Sequence, residues 1–108
     1  MTVSELKNKL ALNVISMPDG EREVTGCYIG DLLSWVMGAA SSGDAWITIM
    51  SNVNVVAVAS LLDVSCVILA EGVALDEDAL KAATEKQINV LVSDKSTYET
   101  AVELGKVL

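Results

Sequence analysis

Small polar and charged side chains follow three apolar runs of the sequence, and these are the residues best suited to holding a ligand. The runs at 45–50, 64–70 and 88–92 have the length and composition of buried strands. In open parallel sheets, ligands bind beyond the carboxyl ends of the strands. We therefore predict a binding rim at these ends, formed by Ser51, Asn52, Asn54, Glu71, Gly72, Ser93, Asp94 and Lys95.

The same rim residues also have a purely structural explanation. Asn52 and Ser96 can cap the helices that follow them, and Gly72 can serve as a turn. No Lys or Arg occurs between residues 24 and 70. A phosphate group would therefore have to bind backbone amides at helix N-termini, with Lys95 as the nearest cation. Both explanations stay open on the sequence alone.

The chain lacks the residue patterns of common catalytic and cofactor sites. It has no histidine, no GxxxxGK[ST] phosphate loop and no GxGxxG dinucleotide fingerprint. Cys27 and Cys66 lie among apolar residues, which predicts buried thiols, and two cysteines alone cannot complete a zinc site. The acidic run Asp76, Glu77 and Asp78 is typical of the first turn of a helix. We predict that the protein is not an enzyme and that it binds neither a metal nor a cofactor. A carboxylate-dependent hydrolase is a minor alternative.

Length, composition and charge limit the class of protein. We expect residues 1–108 to form a single domain, because their number is that of one domain. Hydrophobic residues make up 52% of the chain and charged residues 20%, which is typical of a globular fold. The net charge of −8 disfavours nucleic acid and anionic membranes as partners. Charged residues at 5, 7 and 9 interrupt the N-terminus, so we expect no signal peptide and a cytoplasmic protein.

Residues 45–62 form the longest uncharged segment and approach the length of a membrane span. Ser51, Asn52 and Asn54 fall in its middle, where hydrocarbon would leave their polar groups unsatisfied. We therefore predict a strand, a turn and a helix for this segment, and no membrane partner.

Apolar runs alternate with helical patterns along the chain. Besides the three strands, Tyr28 and Ile29 predict a further short one, and Leu12–Met17 is a short apolar run. Capping residues at Thr2, Asp31, Asn52 and Ser96 help to predict helices at 3–11, 32–40, 53–62, 76–87 and 97–106. Strands that are apolar on both faces and alternate with helices predict an α/β fold. Its layers are helix, sheet and helix, and its sheet is mostly parallel.

Two of the predicted helices are too apolar for an ordinary surface. In the helix at 53–62 the only polar residues are Asn54 and Ser60, so no polar stripe faces water. Exposed apolar area of that extent usually marks an interface. We predict a homodimer, or docking onto a larger enzyme complex, through Leu32, Trp35, Val36, Val55, Val56 and Ala59. In the alternative, a monomer, the N-terminal helix covers this face.

Residues 44–104 resemble the DRTGG domain family. The resemblance rests on the strand-turn-helix AWITIMSNVNVVAVAS, the strand VSCVILAEG and the closing INVLVSDKSTYETAVEL, of which the last is the most specific. Similar domains lie within some phosphotransacetylases and within pyrophosphatases that contain CBS domains. The resemblance implies a fold related to the N-terminal domain of the histidine-phosphocarrier kinase.

The resemblance also implies a kind of function. It points to an accessory or regulatory domain that often self-associates and has no agreed reaction. We therefore expect a non-catalytic regulatory or protein-interaction module that self-associates. The alternative is a sensor domain that binds a small anionic metabolite or a nucleotide at the rim.

Overall fold

Five strands and five helices form three layers in the computed structural model, which describes all 108 residues. The elements are α1 (Val3–Lys9), β1 (Asn13–Ser16), β2 (Gly26–Ile29), α2 (Leu33–Ala39), β3 (Asp44–Thr48), α3 (Val53–Leu62), β4 (Cys66–Leu69), α4 (Glu77–Glu85), β5 (Val90–Val92) and α5 (Thr97–Val107). Strands β2 to β5 run parallel, and β1 pairs antiparallel with β5 in the order β1-β5-β4-β3-β2. This architecture confirms the predicted helix/sheet/helix fold with a mostly parallel sheet.

Three helices begin at the capping residues that the sequence predicts. The Thr2 hydroxyl accepts a hydrogen bond from the Glu5 amide at 3.1 Å, and the Glu5 carboxylate accepts one from the Thr2 amide. Such caps satisfy amides that have no partner within the helix. The caps of α3 and α5 are Asn52, which accepts from the Asn54 amide at 3.0 Å, and Ser96, which accepts from the Glu99 amide at 3.1 Å.

The predicted cap of α2 is wrong. Leu32 occupies the N-cap position and makes no side-chain cap. Asp31 instead turns toward the next strand, where one carboxylate oxygen accepts from the Thr48 hydroxyl at 2.8 Å and the Ile49 amide at 3.0 Å. The side chain of Asp31 therefore ties the end of β2 to the end of β3.

Each face of the sheet has its own aliphatic core. The core under α2, α3 and α4 contains Trp46 from β3, which is fully buried and donates its indole N–H to the Gly30 carbonyl at 2.9 Å. The core under α1 and α5 contains Leu6, Leu104 and the inward side chains of the central strands. Helix α3 therefore lies in the middle of a three-helix layer, with α2 on one side and α4 on the other.

This arrangement corrects the predicted interface. Four of its residues are buried within the single chain, at 1% exposure or less, so they present no surface to a partner: Val36, Val55, Val56 and Ala59. The predicted cover for a monomer is also wrong, because α1 packs in the core on the opposite face of the sheet. Leu32 and Trp35 remain exposed, at 61% and 70%.

The two cysteines differ in their surroundings. Cys66 is buried as predicted, whereas Cys27 is exposed. Cys27 lies on β2, at one edge of the sheet, and is paired in register with Ala45. Its side chain therefore points toward the core of α1 and α5 but lies at the margin of that core.

The long uncharged segment is divided as predicted. Its first part is β3 and its second part is α3, which has ten residues. None of the five helices has both the length and the apolar character that crossing a membrane requires.

Candidate functional site

The loops that follow β4 and β5 form one hydrogen-bonded half of the predicted rim. The Glu71 amide donates to the Lys95 carbonyl, and the Gly72 amide to the Ser93 carbonyl, both at 2.8 Å. Glu71 and Gly72 both have left-handed backbone, with φ of 61° and 66°. This conformation has a higher free-energy cost for Glu71 than for Gly72, because Glu71 carries a Cβ. The Glu71 carboxylate accepts from the Thr97 amide at 2.8 Å, in the first turn of α5. These contacts bring together the rim residues of two neighbouring strands.

The rim residues that follow β3 belong to a separate group. The Ser51 carbonyl accepts from the Asp76 amide at 3.1 Å, and the two side chains are 3.5 Å apart. Asn52 is engaged as the cap of α3, and Asn54 is exposed in the first turn of that helix. No hydrogen bond joins this group to the Glu71–Lys95 half.

Two predicted rim residues are already engaged by other side chains. Ser93 is only 4% exposed, and its hydroxyl lies 2.8 Å from that of Thr100. The Lys95 ammonium forms an ion pair with the Glu103 carboxylate. Ser93 is therefore turned inward, and the charge of Lys95 is compensated. Asp94, by contrast, is exposed and its carboxylate makes no hydrogen bond within the chain.

The rim as a whole is acidic. Two carboxylates that the sequence-based rim left out lie at the same end of the sheet as the predicted Glu71 and Asp94: Asp31, which follows β2, and Asp76, whose side chain contacts Ser51 after β3. The sequence predicts Asp31 as a helix cap, although its position directly after a short strand is also a signal for the rim. With Lys95 paired, these four carboxylates disfavour an anion. They do not gather into a metal site, since no three potential ligands of the His, Cys, Asp or Glu type lie together.

A cavity of about 160 Å³ opens at the opposite end of the sheet, where the strands begin. It lies between the C-terminal ends of α3 and α4 and the loop that follows β1. No motif in the sequence points to it, because its residues come from distant loops and helix ends. Its polar lining consists of Asp19, Arg22, Ser60, Asp63, Ser65, Lys86, Gln87 and Asn89.

Most polar groups of this cavity already bind one another. Asn89 is 4% exposed; its amide N–H groups donate to the carbonyls of Asp19 and Ser65 at 2.8 and 2.9 Å, and its oxygen accepts from the Asp19 amide. The Arg22 guanidinium donates to both Asp63 carboxylate oxygens, at 2.9 and 3.0 Å, and lowers the pKa of that carboxyl. The cavity is therefore chiefly a junction between chain segments, with Lys86 as its one cation outside an ion pair.

Both thiols are poor nucleophiles. Burial raises the pKa of Cys66 to about 12. Partial burial, with a contribution from the Asp44 carboxylate, raises the pKa of Cys27 to about 11, although its side chain reaches solvent. Because the thiolate is the reactive form, neither cysteine has the lowered pKa of a catalytic one.

Comparison with known proteins identifies a family and solved structures with a similar fold. The model of the DRTGG domain matches residues 5–107, which confirms the resemblance predicted from residues 44–104 and extends it to α1. No curated protein matches the chain.

One of these solved structures comprises the CBS and DRTGG domains of the regulatory region of Clostridium perfringens pyrophosphatase, complexed with its activator, diadenosine tetraphosphate. It superposes with a TM-score of 0.75 at 14% identity over 95% of this chain, which shows a shared fold. The chain spans 45% of the length of that structure.

Proposed function

The chain belongs to the DRTGG domain family, and from that premise we propose that it is a regulatory or interaction module that self-associates and catalyses no reaction. The lack of histidine and the raised pKa values of both thiols support the absence of catalysis. The regulatory role is supported by the structural neighbour, in which the same fold is part of a regulatory region.

The observation that carries self-association is a group of exposed apolar side chains on α2 and at its N-cap. Leu32, Trp35 and Met37 are 61%, 70% and 48% exposed, and no charged side chain lies between Asp31 and Asp44. A tryptophan with this exposure on an uncharged helix is a common anchor of protein interfaces.

This surface differs from the one predicted from the sequence, because the inward face of α3, with Val55, Val56 and Ala59, is covered within the chain. The outer face of α3 keeps Val53 and Leu61 exposed, at 45% and 69%.

The mass of the protein in solution tests this proposal. We expect the wild type to elute with twice its chain mass of 11.4 kDa in light scattering on a sizing column. Trp35→Asp should weaken the dimer about tenfold or more, since it places a charge in the apolar contact.

The matched control is Tyr98→Asp, which changes an aromatic residue of similar exposure, 77%, on α5. This variant should dimerise like the wild type. A wild type that stays monomeric at all concentrations would contradict self-association. The same surface would then be free for docking onto a larger enzyme complex.

A second candidate function is that of a sensor for a nucleotide. The observation in its favour is the neighbour's complex with diadenosine tetraphosphate. The acidic rim and the paired Lys95 weigh against an anionic ligand, so we rank this function second. Diadenosine tetraphosphate should raise the melting temperature of the wild type, and less that of Asn52→Ala, if the rim binds it. An unchanged melting temperature of the wild type at millimolar ligand would contradict this candidate.

A further inference from the structure

Strand β2 is an open edge of the sheet with free backbone groups. It pairs only with β3, in unbroken register from Gly26 opposite Asp44 to Ile29 opposite Ile47. The Gly30 amide donates to the Ile47 carbonyl at 3.1 Å, so Gly30 faces β3. Because strand residues alternate, the N–H and C=O groups of Cys27 and Ile29 point away from the sheet.

The other edge of the sheet is protected, whereas β2 is not. Strand β1 pairs antiparallel, its register shifts between Val14 and Ser16, and Pro18 follows it. Bulges, prolines and charged residues are the usual means of keeping an edge from pairing with another chain. Strand β2 has none of these: its sequence is GCYI, without bulge, proline or charge.

Exposed apolar residues flank this edge on both faces of the sheet. Ile29 of β2 is 46% exposed and points to the face that carries α1 and α5, because its register partner Ile47 belongs to that core. On the opposite face, Leu32 and Trp35 are exposed at the N-terminal end of α2, which packs against β2. We call these three residues the edge patch. A second chain that paired with β2 would also cover this patch, so backbone hydrogen bonds and apolar burial would be gained together.

The charge distribution favours a second copy of this chain as the partner that binds the β2 edge. The chain carries a net charge of −8, yet residues 24–70 contain only three charged residues, Asp31, Asp44 and Asp63. Two such molecules repel each other except where they meet through an uncharged surface. A basic partner would be drawn instead to the acidic rim or to α4. The β2 edge therefore suits a neutral surface like itself.

We propose that two copies of this chain pair through β2, antiparallel about a two-fold axis, to form a continuous ten-stranded sheet. This inference rests on the self-association proposed above and specifies its geometry. Tyr28 would lie opposite Tyr28 of the second copy, and Cys27 opposite its Ile29. The outward groups of Cys27 and Ile29 then make four hydrogen bonds between the two copies.

A stable interface buries about 800 Å² on each partner. That is roughly 15% of the chain's surface of 5382 Å². Strand β2, helix α2 and the edge patch would lie side by side with their symmetry mates. An isologous contact of this kind closes on itself and forms dimers rather than fibres.

Hydrogen exchange and light scattering test the pairing on the full chain. The amides of Cys27 and Ile29 should be protected at concentrations where the protein is dimeric and exchange rapidly after dilution to monomer. Ile29→Lys should raise the dissociation constant at least tenfold, because a lysine guards an edge strand. Val14→Lys, at a residue of similar exposure (44%) on β1, should leave that constant within about twofold.

The outcomes separate this inference from self-association itself. If the wild type is dimeric but the two amides exchange freely, edge pairing is overturned while self-association stands. A monomeric wild type overturns both. Should Ile29→Lys fail to fold, as circular dichroism would show, the exchange of the wild-type amides decides the question alone.

Discussion

The two ends of the sheet are built in different ways. At the amino end, side-chain hydrogen bonds join segments as far as 70 residues apart, through Asn89 and Asp19. At the carboxyl end the side-chain bonds reach no further than 26 residues, from Glu71 to Thr97. The cavity therefore lies at the amino end, where side-chain hydrogen bonds join distant segments of the chain. The free polar side chains lie at the carboxyl end, where such long-range bonds are absent. A cavity with satisfied polar walls is better evidence for stability than for ligand binding.

Among the substitutions that test this difference between the two ends, Asn89→Ala should reduce stability the most. It removes three hydrogen bonds and leaves the carbonyl of Ser65, a residue that is 2% exposed, without its partner. We expect the free energy of unfolding to fall by about 2–3 kcal/mol, as for buried polar groups that lose their partners. Urea unfolding followed by circular dichroism measures the loss.

Asn54→Ala is the matched control at the opposite end. The same side chain is removed there from an exposed position, so stability should change by about 0.5 kcal/mol or less. Equal losses in the two variants would show that the two ends do not differ as described.

Asp63→Asn should have a smaller effect that depends on pH. Arg22 lowers the pKa of Asp63 in the folded protein. The pair therefore stabilises the fold fully above the unfolded pKa, near 4, and the contribution is lost as pH falls through the lower folded pKa. The variant lacks this contribution, so its stability should fall less steeply than that of the wild type below about pH 4. Asparagine also tolerates the left-handed backbone of residue 63.

The midpoint of urea unfolding, measured at several pH values between 6 and 2.5, gives the dependence of stability on pH. Asp94→Asn makes the same change of charge at a rim carboxylate without a hydrogen-bond partner, and its slope should match that of the wild type. If Asp63→Asn also keeps the wild-type slope, the ion pair with Arg22 contributes nothing to folding.

The elements of the fold could be predicted from the sequence because their signals are local. Capping residues and apolar periodicity located every helix and four of the five strands at least in part, including the short β2, whereas the β1 segment was recognised only as an apolar run. The cover of the inward face of α3 could not be predicted, because it depends on α2, α3 and α4 all packing on one face of the sheet. The exposure of Cys27 depends in the same way on the edge position of β2. The cavity was missed because Arg22, Asp63 and Asn89 meet only after folding.

The two tryptophans lie in opposite environments, so their fluorescence can report on two different regions of the molecule. Trp46 is fully buried and hydrogen-bonded, whereas Trp35 is 70% exposed in the edge patch. Emission from Trp46 should be blue-shifted and inaccessible to iodide, and emission from Trp35 red-shifted and readily quenched. Unfolding and association can therefore be followed separately in one cuvette, with a Trp35→Phe or Trp46→Phe variant to assign each band.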